Sequence, residues 1–151
     1  MKRLSPKGVS LVEFLIVLAV LGILLGVGFV SLRSYQESLA IREAATQVAT
    51  ELLNIRQQAR RQSVNFSFQA DANSSTYGVG PSSSLPQLPQ KTLPQGVTFQ
   101  SVPAGEGRVT FLAPYGIVDV ANRTYVLQGP GNRILNVHIV GSTGKVVVRA
   151  P

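Results

Sequence analysis

The chain has 151 residues, 14 lysines and arginines against 7 acidic residues, and no cysteine. That length holds one domain with an appendage, not two full domains. The missing cysteine excludes a disulfide framework, thiol chemistry and cysteine metal sites, and charged residues are only 14% of the chain.

The low charge has a local origin near the N-terminus. Leu11 to Leu32 spans 22 positions interrupted only by Glu13 and Ser31. A bilayer core needs about 20 apolar residues in a helix. A cleaved secretory signal has a shorter apolar region and a small-x-small exit. The residues at the end of this run, Val30-Ser31-Leu32-Arg33-Ser34-Tyr35, offer none. The run therefore predicts a membrane helix. Lys2, Arg3 and Lys7 precede it, which predicts a cytoplasmic N-terminus and an exported remainder. Glu13 is the exception inside the run. A carboxylate in hydrocarbon costs several kcal/mol unless it is paired or held at headgroup depth. In a first helical turn it also suits the positive end of the helix dipole.

Beyond the run, Ile41, Ala44, Ala45, Val48, Leu52, Ile55 and Ala59 recur at spacings of three and four. They mark one face of an α-helix. Arg42, Glu43, Gln47, Glu51, Asn54, Gln57 and Gln58 occupy the other face. No proline lies between Val9 and Pro81, so one helix over about residues 10–62 is expected, its second half amphipathic and packed on the C-terminal part of the chain.

From Val64 the period drops to two, with Phe66 and Phe68 alternating with polar residues. Further strands are expected at Thr76–Val79, Val97–Val102, Arg108–Leu112, Gly116–Val120, Arg123–Leu127, Arg133–Val140 and Lys145–Arg149. Glycine and proline clusters separate them, which points to antiparallel sheets. The stretch 80–96 is rich in proline and serine and reads as an extended, mobile loop. The fold class is α+β: a long N-terminal helix packed on antiparallel β-sheets.

The N-terminal pattern carries a resemblance. A basic leader ends at Gly8, Val9 follows, Glu13 is fifth counting from Val9, and an unbroken apolar helix comes next. This resembles the type III signal of type IV pilins and pseudopilins. The resemblance implies that a prepilin peptidase cleaves after Gly8 and methylates the new amine of Val9. It also implies that Glu13 of one subunit pairs with the Val9 amine of its neighbour in a filament. The implied organisation is a leader at 1–8, a membrane and filament-core helix at 9–32, an amphipathic helix at 33–63 and a β-rich head at 64–151. Val9 stands where the family usually has Phe or Met, and Val30 where major pilins have a kinking proline. Together with the missing cysteine, Val30 points to a minor component.

The later layout, with Val109-Thr-Phe-Leu-Ala-Pro-Tyr-Gly116 in the middle and Gly144-Lys-Val-Val-Val-Arg149 at the end, resembles the GspH/FimT branch. Two functions are implied as expectations. One is a minor pseudopilin of a type II secretion system. The other is a FimT-like minor pilin serving pilus assembly or DNA uptake. Implied partners are the prepilin peptidase, other filament subunits and the inner membrane, with DNA added in the second case. The implied location is a single-pass inner-membrane protein with its head in the periplasm or outside the cell. Without the leader's Lys2, Arg3 and Lys7, side-chain charge is +4, from 11 basic and 7 acidic residues. Arg56, Arg60 and Arg61 near the helix end, and Lys145 and Arg149 in the last strand, are the candidate DNA contacts.

Catalysis is not expected, nor any cofactor or metal. His138 is the only histidine, and Asp71, Glu106 and Asp119 are dispersed. Gly144-Lys145 lacks the first glycine and the Ser/Thr of a phosphate loop, where Ile139 and Val146 stand. No serine sits in a G-x-S-x-G elbow.

Overall fold

The computed structural model describes residues 10–84 and 90–151. Helix α1 runs Leu11–Gln62, as the proline-free sequence requires. It ends where Ser63 turns to φ 53°, a left-handed residue of the kind that closes helices. The chain divides into two compact units, Met1–Gln36 and Glu37–Pro151.

In the second unit, nine antiparallel strands among the described residues come after α1. They are β1 (Phe66–Ala70), β2 (Thr76–Pro81), β3 (Gln90–Thr92), β4 (Thr98–Ser101), β5 (Arg108–Leu112), β6 (Ile117–Val118), β7 (Arg123–Gln128), β8 (Ile134–Val140) and β9 (Lys145–Arg149). One sheet has the order β3-β2-β1-β5-β6 and the other β4-β7-β8-β9.

All seven residues of the expected helical stripe are buried. From Ala44 onward they share one core with both sheets. Against them lie Phe66, Phe68, Val109 and Phe111 from the first sheet and Tyr125, Leu127, Val137 and Ile139 from the second. Phe68 stacks on Tyr77 at 5.1 Å between ring centroids and meets Tyr125 edge-on at the same distance. Such pairs add about 1 kcal/mol each beyond the area they bury.

Alternation in β1 does not divide inside from outside as a half-exposed strand would. Ser67, between the two phenylalanines, is fully buried. Its hydroxyl bonds to those of Ser82 (2.7 Å) and Thr110 (2.9 Å), because the single turn Ser82–Ser84 folds over the outer face of the sheet.

The loop expected over 80–96 is corrected by this structure. β2 extends through Pro81, Ser82–Ser84 form a 3₁₀ turn, and β3 occupies Gln90–Thr92. Leu93 is buried, and its amide donates to the Ser75 carbonyl (2.8 Å). The cause is long-range pairing. Lys91 forms an ion pair with Glu51 of α1 (2.5 Å), and Gln47 donates to the Thr92 carbonyl (3.0 Å). Residues 85–89 lie outside the described residues.

The strand expected at Gly116–Val120 shrinks to Ile117–Val118. Asp119 ends it, because its carboxylate accepts the amides of Thr110 (3.2 Å) and Val120 (2.8 Å).

The core carries two phenols. Tyr125 is almost wholly buried and donates to the Gly107 carbonyl (2.8 Å). Burial pushes its ionisation well above the ordinary tyrosine range. Burial also raises Tyr77, opposed in part by the hydrogen bond from Gln47. Folded pKa values above the unfolded value of about 10 give stability that is complete below pH 10. That stability is lost as pH climbs toward the folded values, for Tyr125 by about 1.4 kcal/mol per pH unit. Tyr125→Phe should destabilise the protein by about 1 kcal/mol at pH 7, where the Gly107 carbonyl loses one of its two donors and keeps the Ala70 amide. Above pH 10 the gap between variant and native protein should narrow. Urea melts at pH 7, 9, 10 and 11 measure both; a constant gap would refute the assignment.

Candidate assembly and binding surfaces

Glu13 lies in the first turn of α1, where the Ser10 carbonyl accepts the Phe14 amide (3.1 Å). Gly8 and Val9, the expected processing residues, lie outside the described residues. Past Glu13 the large apolar side chains from Phe14 to Leu32 are all exposed, Leu25 at 69% and Phe29 and Val30 at 70%. Fully exposing one such side chain forgoes about 1.5–3 kcal/mol relative to burial. So many together are incompatible with water as their permanent surroundings. Among the described residues, α1 is the one helix long and apolar enough to cross a membrane.

The far end of the same helix is basic. Arg60 and Arg61 lie in its last turn, both exposed, and favour the negative end of the helix dipole. Arg56 is half-buried, and its Nε is buried with no hydrogen-bond partner. The stems of Arg56 and Arg60 lie against Gly116. A Cβ there would come within 2.9 Å of Arg60 Cγ and 3.0 Å of the Arg56 carbonyl oxygen. Gly116 also has φ 65° and donates to the Leu112 carbonyl (2.7 Å). Residues 113–116 are thus laid on the last turns of α1. Gln57, Arg60, Arg61 and Pro114 line a groove there, and Tyr115 beside it is 73% exposed.

Lys145 and Arg149 sit elsewhere, on β9. Register places Lys145 opposite Val140, Val147 opposite His138 and Arg149 opposite Asn136. This is the face turned away from the core, since Ile139 and Val137 between them are fully buried. His138 Nδ1 and Thr124 Oγ1 share a hydrogen bond of 2.9 Å. Thr124, His138, Val147 and Arg149 border a second hollow. The five basic candidates are therefore not gathered into one groove.

Arg108 borders a further hollow together with Arg123, which also lines the hollow at Arg149. Arg108 Nε donates to Ser67 Oγ (3.4 Å), and Arg123 is hydrogen-bonded to the Ala104 carbonyl. Both arginines border that further hollow with Ser82, Thr110 and Asp119. Strand register brings them there, and no sequence motif marks them.

Residues 3–29 match the prokaryotic N-terminal methylation motif. The fold is similar to that of the minor pseudopilin EpsH from the type 2 secretion system of Vibrio cholerae. That match has 16% identity and a TM-score of 0.54, covering 74% of this chain and 98% of that one. The fold is type IV pilin-like. It is also similar to the type IV minor pilin FimU of Pseudomonas aeruginosa in two crystal forms. The identities are 19% and 20% and the TM-scores 0.60 and 0.57, covering 78% and 73% of this chain and 96% of FimU in both. No curated protein matches the chain in sequence. Both neighbours are pilin or pseudopilin subunits. The likeness to them is one of fold.

The pilin-like head needs Gly116 to seat its middle loop on the helix. Gly116→Ala should cost about 2 kcal/mol, from left-handed backbone strain plus the contact with the Arg56 carbonyl. Denaturant midpoints of the full chain in detergent measure it; a loss under about 0.5 kcal/mol, the scale of a neutral surface change, would place the loop elsewhere.

Proposed function

We propose that the chain is a minor pseudopilin of a type II secretion system, a structural subunit of a short periplasmic filament that drives protein export. The observation that carries this is the uncovered apolar half of α1 with Glu13 in its first turn, attached to the N-terminal methylation motif. Such a helix suits two apolar surroundings in succession, a bilayer and then a filament core. Cleavage after Gly8 frees the Val9 amine, and Glu13 is the carboxylate available to a neighbour's amine. In a low-dielectric core a lone charge is costly, so that pairing fixes axial register. Segment 9–32 is the membrane and filament part, and residues from 33 onward lie on the exported side of the inner membrane. The similarity to EpsH and the separation of the basic residues into two grooves support secretion over nucleic-acid capture.

A second reading, a minor pilin of a pilus or DNA-uptake machine, is favoured by the similarity to FimU and by the groove at Arg60 and Arg61 beside the exposed Tyr115. Arginines next to an exposed aromatic ring suit a phosphate backbone and a base face.

Two measurements test these readings. Glu13→Ala should still insert into the membrane yet enter filaments poorly, as read by fractionation and by pull-down of assembled filaments. Normal incorporation would remove the pairing role. Binding of duplex DNA to the detergent-solubilised chain should be negligible at 50 mM salt for the secretion reading. Binding that weakens steeply with salt, and falls when Arg60 and Arg61 or Lys145 and Arg149 become Ala, would instead establish the DNA-uptake reading.

A further inference from the structure

Two sheets have four edges, and among the described residues three of them are short or hydrogen-bonded to another segment. β4 is covered by the turn before β2: its Phe99 amide donates to the Ser74 carbonyl (2.9 Å), and its Phe99 carbonyl accepts the Asn73 amide (2.6 Å). β3 is three residues long, and Gln47 of α1 takes its Thr92 carbonyl. β6 is two residues long, and its Val118 amide donates to the Ser142 carbonyl (3.0 Å).

β9 is different. It is five residues long and pairs with β8 along its whole length. Among the described residues no hydrogen bond reaches its other side. A strand's backbone groups point alternately to its two sides, so β9 presents unused donors and acceptors along an open edge. Its side chains are unfinished in the same sense. Val148 pairs with the fully buried Val137, which puts it on the core-facing side, yet it is 41% exposed. The neighbour that would cover it is a strand beyond β9.

We infer that β9 is a docking edge that adds to its sheet an extended segment of a different polypeptide, with the pattern acidic-apolar-any-apolar-acidic. The pattern comes from period two. Residues opposite Val146 and Val148 face the core side and extend it. Residues opposite Lys145 and Arg149 lie on the outer face and meet two positive charges four positions apart.

A second copy does not fit. Pairing β9 with β9 antiparallel sets Lys145 against Arg149, and pairing them in parallel sets like against like. Nor does another part of this chain supply the pattern. Its acidic residues are Glu13, Glu37, Glu43, Glu51, Asp71, Glu106 and Asp119, and no two are four apart. The docking edge is independent of which machine the subunit serves, because it rests on β9 alone.

The test uses the full chain in dodecyl maltoside micelles and a blocked peptide, Thr-Glu-Val-Thr-Val-Glu-Thr. The expected result is slowed hydrogen exchange at β9 amides, and binding roughly tenfold tighter than for the same peptide with Lys in place of Glu. The preference should reverse in the Lys145→Glu, Arg149→Glu double variant. A peptide N-methylated at alternate residues should lose binding on the native chain, a control that stands even if the double variant misfolds. Equal binding of the Glu and Lys peptides, undiminished binding of the methylated one, or protection confined to other strands would overturn the inference. Concentration-dependent protection of β9 without peptide would also overturn it, by making a second copy the occupant.

Discussion

The packing of α1 on the two sheets is the contact on which the head depends. It is made largely by small side chains. Ala44, Ala45, Val48 and Ala59 are at most 1% exposed. Their size lets the helix backbone come close to the sheets, while the larger Leu52 and Ile55 fill the same core as Phe66 and Phe111. A larger residue at any of these alanines would push helix and sheet apart and forfeit dispersion contacts along the whole seam. Both sheets need the helix, since it shares their core and closes it.

The same helix meets a different demand earlier in the chain. From Phe14 to Leu32 its large apolar side chains are exposed, and the charged residue ahead of them is Glu13. One type of secondary structure serves both regions because a helix satisfies its own backbone hydrogen bonds, in hydrocarbon or against a protein core. The side-chain chemistry is the part that changes along it. Apolar residues all round give way to an apolar stripe with Gln47 and Glu51 on its border, and those two then hold β3 in place.

The basic residues illustrate how chemistry is distributed by packing. Arg56 and Arg60 contribute aliphatic stems to the seat of residues 113–116. Arg123 is tied to the Ala104 carbonyl, and Arg108 reaches Ser67. Arg61, Lys145 and Arg149 keep exposed side chains. A count of positive charge therefore overstates how much a polyanion could engage at once. The open edge at β9 is a more local feature, defined by backbone groups as much as by charge.

Helix α1, its seven-residue buried stripe and the α+β class are all legible in the amino-acid sequence, because they depend on periodicity and on the absence of proline. Arg108–Leu112 and Lys145–Arg149 are legible as strands for the same reason, bounded by glycine turns and rich in β-branched residues. The basic residues at the helix end and in β9 are also visible as residues. Which of them share a groove is not, because strand order and register set that. No local pattern signals that Gln90–Thr92 pairs with β2 and is tied to α1 by Lys91 and Gln47, partners 40 and 45 positions from their contacts. Nor does composition reveal that Ser67 is buried under Ser82, or that β9 alone of the four edges lacks cover among the described residues. These features rest on contacts between distant segments, whose energies exist only once the chain has closed its loops. Local pattern specifies the kind of element each segment forms, and long-range packing specifies the neighbour it faces.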